Sequence, residues 1–104
     1  YIQVQKLKYA QNIFWVFGVL LKNRSKIKRD HLVKKLSLKK IQTRNFFLPM
    51  HKQKIFKKMK IFKGKKSYPN SEYLSKNGLY LPSGLGIKNY EIDYICRVLN
   101  KILG

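Results

Sequence analysis

The residues best suited to chemistry in this chain stand together in one run, Thr43-Arg44-Asn45-Phe46-Phe47-Leu48-Pro49-Met50-His51. A guanidinium presents a planar fork of donors that matches carboxylate or phosphate oxygens, and an imidazole changes charge close to neutral pH. Pro49 fixes the backbone between them, so an Arg and a His at the end of a strand could hold an anionic ligand such as a phosphate. The same residues also describe a packed Phe pair with an exposed Arg and His, and the residue types leave both readings open. Elsewhere the chemistry thins out. His31 and His51 lie 20 positions apart without a Cys or carboxylate pair at ligand spacing, so no metal site is expected. Glu72, Glu91 and Asp93 fall at helix positions where solvation or pairing with Lys is expected rather than general acid–base work. Ser83-Gly84-Leu85-Gly86 carries two glycines but no following Gly or Lys-Ser, which predicts a tight turn and not a phosphate cradle. Cys96, the single cysteine, excludes an internal disulfide. Its neighbours Ile92, Ile95 and Leu99 lead us to expect that it packs as a small apolar residue, in a chain compatible with a reducing cytosol.

The elements that must position these residues follow from hydrophobic periodicity. The stretch Tyr9 to Leu21 is aromatic, β-branched and apolar almost throughout, which predicts a strand buried on both faces, with Gly18 marking a bulge or a close backbone approach. From about Ser25 to Lys39 the period becomes helical, with Ile27, Leu32, Val33 and Leu36 on one stripe and Lys28, Arg29, Lys34 and Lys35 mainly on the other side. A second strand is expected over Ile41 to Phe47, ended by Pro49. Lys52 to Lys66 is basic with spaced Ile55, Phe56, Met59, Ile61 and Phe62, and reads as a loop with room for a helical turn. A short helix follows from Pro69 to Lys76, opened by proline and stopped by a left-handed Asn77-Gly78. Gly78 to Pro82 predicts a short strand, Ser83 to Gly86 a turn, and Lys88 to Leu103 a last helix with Glu91, Ile95, Val98, Leu99 and Ile102 on one face. The expected class is α/β, a small sheet with packed helices forming one domain over residues 1–104, without internal repeats.

Charge is the unusual feature. The 104 residues hold 24 Lys and Arg against 4 acids, a net charge of +20. Only Arg24, Arg29, Arg44 and Arg97 are arginines, and base or phosphate recognition favours the Arg fork over the Lys point charge. The excess therefore reads as a solvated surface, with no specific nucleic acid expected as partner. The alternative, a small basic nucleic-acid-binding protein, rests on the net charge and on Lys interleaved with aromatics between Lys52 and Lys66. Any such binding should be sequence-blind and fade with salt. The apolar run Ile13 to Leu21 is far shorter than the roughly 20 residues a spanning helix needs. Lys6 and Lys8 before it imitate a signal peptide, but Lys22-Asn23-Arg24 offers no small-residue cleavage site. We therefore expect a cytoplasmic chain without a membrane partner, in which Asn23-Arg24-Ser25 is a chance glycosylation match.

Motifs in a consistent order carry a family resemblance across almost the whole chain. Trp15 to Lys22 resembles the first small-domain strand of the DegT/DnrJ/StrS nucleotide-sugar aminotransferases, and Arg29-Asp30-His31-Leu32-Val33-Lys34-Lys35-Leu36 is similar to their R-D-x-L-x-x-x-L helix. Ile41 to His51 resembles the family's G-I-x-T-R-P-F-F-x-P-x-H strand and loop. Tyr68 to Leu74, followed by Gly78-Leu79-Tyr80-Leu81-Pro82-Ser83-Gly84, resembles its closing P-x-A-E-x-L and G-L-x-L-P-S-G signature, and Ile92-Asp93-Tyr94-Ile95 its I-D-Y-V. The T-R-x-F-F and L-P-S-G forms are most similar to perosamine-synthase-like members, which aminate C4 of a nucleotide-linked 4-keto-6-deoxy sugar.

The resemblance implies the C-terminal small domain of an aspartate-aminotransferase-like, fold type I enzyme. It implies pyridoxal phosphate and a homodimer partner in the full-length enzyme, with a nucleotide sugar and glutamate as substrates. The lysine that holds the cofactor lies in the family's large domain, upstream of every motif here, so this chain alone is expected to bind no cofactor and to contain no catalytic residue. A start at Tyr1 rather than Met fits a segment that is processed or begins inside a longer protein. Arg44, Phe47 and His51 match family positions that face the active-site cleft and shape it around substrate.

Departures from the family pattern are also informative. Lys40 stands where a glycine usually ends the first helix, and Lys28 and Lys88 stand where Ser or Thr usually caps a helix. Each change is expected to lose about 1 kcal/mol. Asn45 and Lys54 replace prolines common in the cleft loop. Phe14, Trp15, Phe17, Tyr94 and Val98 are candidates for apolar surface meant to pack against a missing large domain.

Overall fold

Gly78-Leu79-Tyr80-Leu81 forms the central strand in a computed structural model of the protein, which describes residues 8–22, 25–64 and 67–104. In chain order the elements are β1 (Phe17–Leu20), α1 (Arg29–Leu38), β2 (Arg44–Asn45), a 3-10 turn (Met50–Lys52), α2 (Lys54–Lys58), α3 (Pro69–Asn77), β3 (Gly78–Leu81) and α4 (Asn89–Leu103). The sheet is antiparallel, in the order β1-β3-β2. Phe17 stands opposite Leu81 and Leu20 opposite Gly78, while Arg44 stands opposite Tyr80.

Alternation along each strand sends Val19, Leu79 and Leu81 to one face. There they meet Leu32 and Leu36 of α1, Ile95 and Leu99 of α4, and Leu21 and Ile41 from the strand ends, which makes nine buried aliphatic side chains. Each is worth about 1.5–3 kcal/mol relative to exposure. The helical stripe expected on α1 is the one observed, with Leu32 and Leu36 buried and Ile27 and Val33 partly so.

The helix ends follow the departures noted above. Lys28 has no side-chain cap bond at the start of α1. At its end, Ile41 N donates to Leu36 O (3.0 Å) and Lys40 N to Ser37 O (2.9 Å), with Lys40 at φ +58. This is a Schellman stop, closed by the apolar pair Leu36 and Ile41, with a lysine in the position that favours glycine. At α4, Lys88 N donates to Glu91 Oε2 (2.8 Å), so the acidic half of a capping box survives without its Ser or Thr.

Several expectations are corrected. The first strand begins only at Phe17, and Ile13, Phe14 and Trp15 ahead of it are exposed, with Phe14 in the left-handed region (φ 48) that an extended strand does not adopt. Of the proposed apolar surface, Phe14, Trp15 and Tyr94 are exposed while Phe17 and Val98 pack partly on the core. The second strand shrinks to Arg44–Asn45, and the basic stretch, read as a loop with room for a helical turn, holds the five-residue α2 just after the 3-10 turn. Gly78 is extended (φ −93, ψ 146), so α3 runs directly into β3 without a left-handed stop. Cys96 is exposed: one residue along a helix turns about 100°, which carries it off the stripe of Ile95 and Leu99. Asn23 and Arg24 of the glycosylation match lie outside the described residues. Among the described residues no helix is long and apolar enough to cross a membrane.

Candidate functional site

The chain leaves β2 by laying Phe46 across two glycines. Phe46 N donates to Gly78 O (3.2 Å), and its ring covers Gly18 and Gly78 while stacking on Tyr80 at 4.5 Å. A Cβ on Gly18 would stand 3.0 Å from Phe46 Cζ, and one on Gly78 would overlap the ring. Both glycines therefore serve close approach, which for Gly18 was one of the two sequence expectations and for Gly78 replaces the helix-stop role.

On the same sheet face, Arg44 stands cross-strand from Tyr80 and is exposed. Phe47 is 75% exposed, its ring tilted 6.0 Å from Tyr80. Tyr80 thus has an exposed cation as its cross-strand neighbour and an exposed apolar ring tilted against its own, residue types suited to an anionic group attached to a flat or cyclic body.

His51 is placed elsewhere. Its side chain is 13% exposed, with Nε2 3.0 Å from Glu72 Oε1. Tyr68 lies against the imidazole at 4.7 Å, with Phe62 edge-on at 6.3 Å. Lys52 Nζ donates to the other Glu72 oxygen at 2.9 Å. These two partners, Lys52 first and His51 second, hold the Glu72 carboxyl below its usual range. The structure thus brings Arg44 and Phe47 together around Tyr80 and sets His51 in a separate cluster.

A cavity of about 900 Å³ opens between the start of α1, the end of β2 and α3. Lys22, Lys28, Arg29, Lys52 and Lys76 line it against Asp30 and Glu72, so its surroundings favour an anion. Arg29 is the structural pin of this wall. Its Nη1 donates to Ser75 O (2.6 Å), where the carbonyls of α3 end, and Asp30 Oδ1 lies 2.9 Å from its Nε. Tyr73 OH donates to Leu21 O (2.9 Å), fastening α3 to the end of β1.

Sequence reasoning read Glu72 as solvated or lysine-paired and did not foresee that it would also hold His51. It gave Tyr68 and Tyr73 no role. The pairing of Glu72 with His51 joins residues 21 positions apart, a separation that periodicity does not span. Among the described residues the buried side chains are all apolar, and every described lysine is exposed.

Residues 1–100 match the profile of the DegT/DnrJ/EryC1/StrS aminotransferase family. The chain is also 29% identical over 101 residues to the GDP-perosamine synthase of Escherichia coli O157:H7, an alignment that covers 94% of this chain and 26% of that protein. It spans about a quarter of the length of that curated relative.

Proposed function

This chain belongs to the DegT/DnrJ/EryC1/StrS aminotransferase family, and from that premise we propose that it is the C-terminal small domain of an enzyme that transfers an amino group from glutamate to a nucleotide-linked 4-keto-6-deoxy sugar. The likeness to a GDP-perosamine synthase supports this substrate class. The observation that carries the reading is that the family motifs stay in order and each does structural work. Arg29, paired with Asp30, binds α1 to α3, Phe46 closes over the glycines, and the Gly78-Leu79-Tyr80-Leu81 strand centres the sheet.

Pyridoxal phosphate supplies the electron sink for transamination when the rest of the protein holds it. This chain's part is to bind and orient. Arg44 takes anionic oxygens of the nucleotide sugar, Phe47 offers its ring to the sugar or base, and His51 fixes the course of the loop that follows. The amine, the acid that pairs the cofactor ring and the proton transfers belong to the large domain. A homodimer partner and a cytoplasmic setting are part of the same proposal.

The test is turnover. The protein translated from the complete reading frame around this chain, given pyridoxal phosphate, glutamate and a 4-keto-6-deoxy nucleotide sugar, should yield the 4-amino sugar by mass spectrometry, and the present chain alone should yield none. Turnover by the isolated chain, or none by a complete protein that binds the cofactor, would overturn the reading.

A further inference from the structure

The segment from Met50 to Phe62 is a small cap with no buried side chain. Its backbone bonds are local: Gln53 N donates to Met50 O, Lys57 N to Gln53 O, Met59 N to Ile55 O, and Ile61 N to Phe56 O. A left-handed Lys60 (φ 52) turns the chain back so that Phe62 meets Phe56 edge-on at 6.3 Å. What ties this cap to α3 is different in kind. Among the described residues its side-chain ion pairs to α3 all end on one carboxylate, Glu72, reached by His51 at 3.0 Å and Lys52 at 2.9 Å. The remaining tie is aromatic, with Tyr68 against both His51 and Phe62. Lys52 and Glu72 also line the 900 Å³ cavity, so the docked cap completes one wall of it.

We propose that His51, Lys52 and Glu72 form a charge-operated latch that fastens the Met50–Phe62 cap to α3, closing more firmly when His51 is protonated. The groups facing the imidazole are Glu72 and Tyr68 from α3 and its start, Phe62 from the end of the cap, and Lys52 beside it. As imidazolium, His51 meets the carboxylate with full opposite charge at hydrogen-bond distance. As neutral imidazole it retains only the hydrogen bond and the aromatic contact, and Lys52 holds alone. Glu72 stays ionised through the imidazole range because its cationic partners hold its carboxyl low. The other cap lysines, Lys54, Lys57, Lys58 and Lys60, are exposed, and physiological salt screens such charges over about 8 Å, so the contact pairs dominate. The latch rests on side chains of this chain alone and stands or falls separately from the aminotransferase reading.

Hydrogen exchange of the intact chain tests it, at about pH 5.5 and about pH 8, corrected for intrinsic rates. Protection of amides in Gln53 to Ile61 should be roughly fivefold greater at the lower pH, the scale of a partly exposed charge pair. Amides of Leu36 and Leu79 in the core should show no such step. His51→Gln, which keeps a hydrogen-bond donor but cannot titrate, should abolish the step, whereas His31→Gln should leave it intact. Equal cap protection at both pH values in the unaltered chain, a step shared by the core, or one that survives His51→Gln would overturn the latch. The first of these needs no variant to fold.

Discussion

Around β3 nine aliphatic side chains are buried from four directions, while between Met50 and Phe62 none is buried. The first region is held by removal of apolar surface from water, which has no direction and little dependence on salt or pH. The second is held by one carboxylate shared between a lysine and an imidazole, and by edge-on aromatic rings. The two regions should therefore open separately, the cap at low free energy and the core only on global unfolding. The difference teaches where a small domain can carry an adjustable part: outside the core, on contacts few enough to be changed one at a time.

The largest effect should come from breaking this contrast directly. Leu79 is fully buried, and Leu79→Ala should cost about 2–5 kcal/mol through lost burial and a residual cavity. Phe62→Ala removes two edge-on ring contacts and the contact with His51, and should cost under about 1.5 kcal/mol. Urea denaturation followed by circular dichroism measures both. Equal losses would show that the cap is part of the cooperative core.

A smaller effect is expected where the two regions join. Gly78→Ala places a methyl group in the Phe46 ring and should destabilise by about 1–3 kcal/mol, the usual range for overpacking. Phe46→Leu alone loses the Tyr80 stack, but in the double variant the smaller side chain leaves room for the methyl group added at Gly78, so the two losses should not add. Additive losses in a double-mutant cycle would mean that the ring does not rest on the strand as described.

How much of this was legible in the sequence follows the same division. The Leu32 and Leu36 stripe, the Gly78–Leu81 strand and the α4 face were readable because burial imposes a period on the chain. Gly18 marked either a bulge or a close approach, and neither the choice between them nor the partner Phe46 could be named from spacing alone. The first strand was read too long because an apolar run looks alike whether it is buried or left exposed ahead of the strand, as Ile13 and Trp15 are. Cys96 was misplaced for a related reason: apolar neighbours in sequence do not share its direction on a helix. The cap was the least legible part, since its order depends on Glu72 and Tyr68, far along the chain from His51. Arg44, Phe47 and His51 were singled out by resemblance to a motif, and the placing of the first two around Tyr80 needed the sheet register.

The smallest expected effect is a gain, and it sharpens the comparison because the same strain occurs once in each region. Lys40 (φ +58) ends α1 beside the core, and Lys60 (φ +52) turns the cap. A residue with a Cβ in the left-handed region costs roughly 1–2 kcal/mol, partly offset in a glycine variant by the greater freedom of glycine in the unfolded chain. Lys40→Gly should therefore stabilise the protein by about 1 kcal/mol in urea denaturation, since the Schellman bonds at Leu36 and Ser37 form only in the folded core. Relief of positive charge could produce a gain by another route, and Lys40→Ala separates the two: it removes the same charge, keeps the Cβ and should yield no comparable gain. Lys60→Gly relieves the same local strain, but in a cap that opens before the core unfolds. Its gain should appear as slower hydrogen exchange in Lys57 to Ile61 and leave the global midpoint nearly unchanged. A global gain from Lys60→Gly equal to that from Lys40→Gly would join the two regions into one cooperative unit.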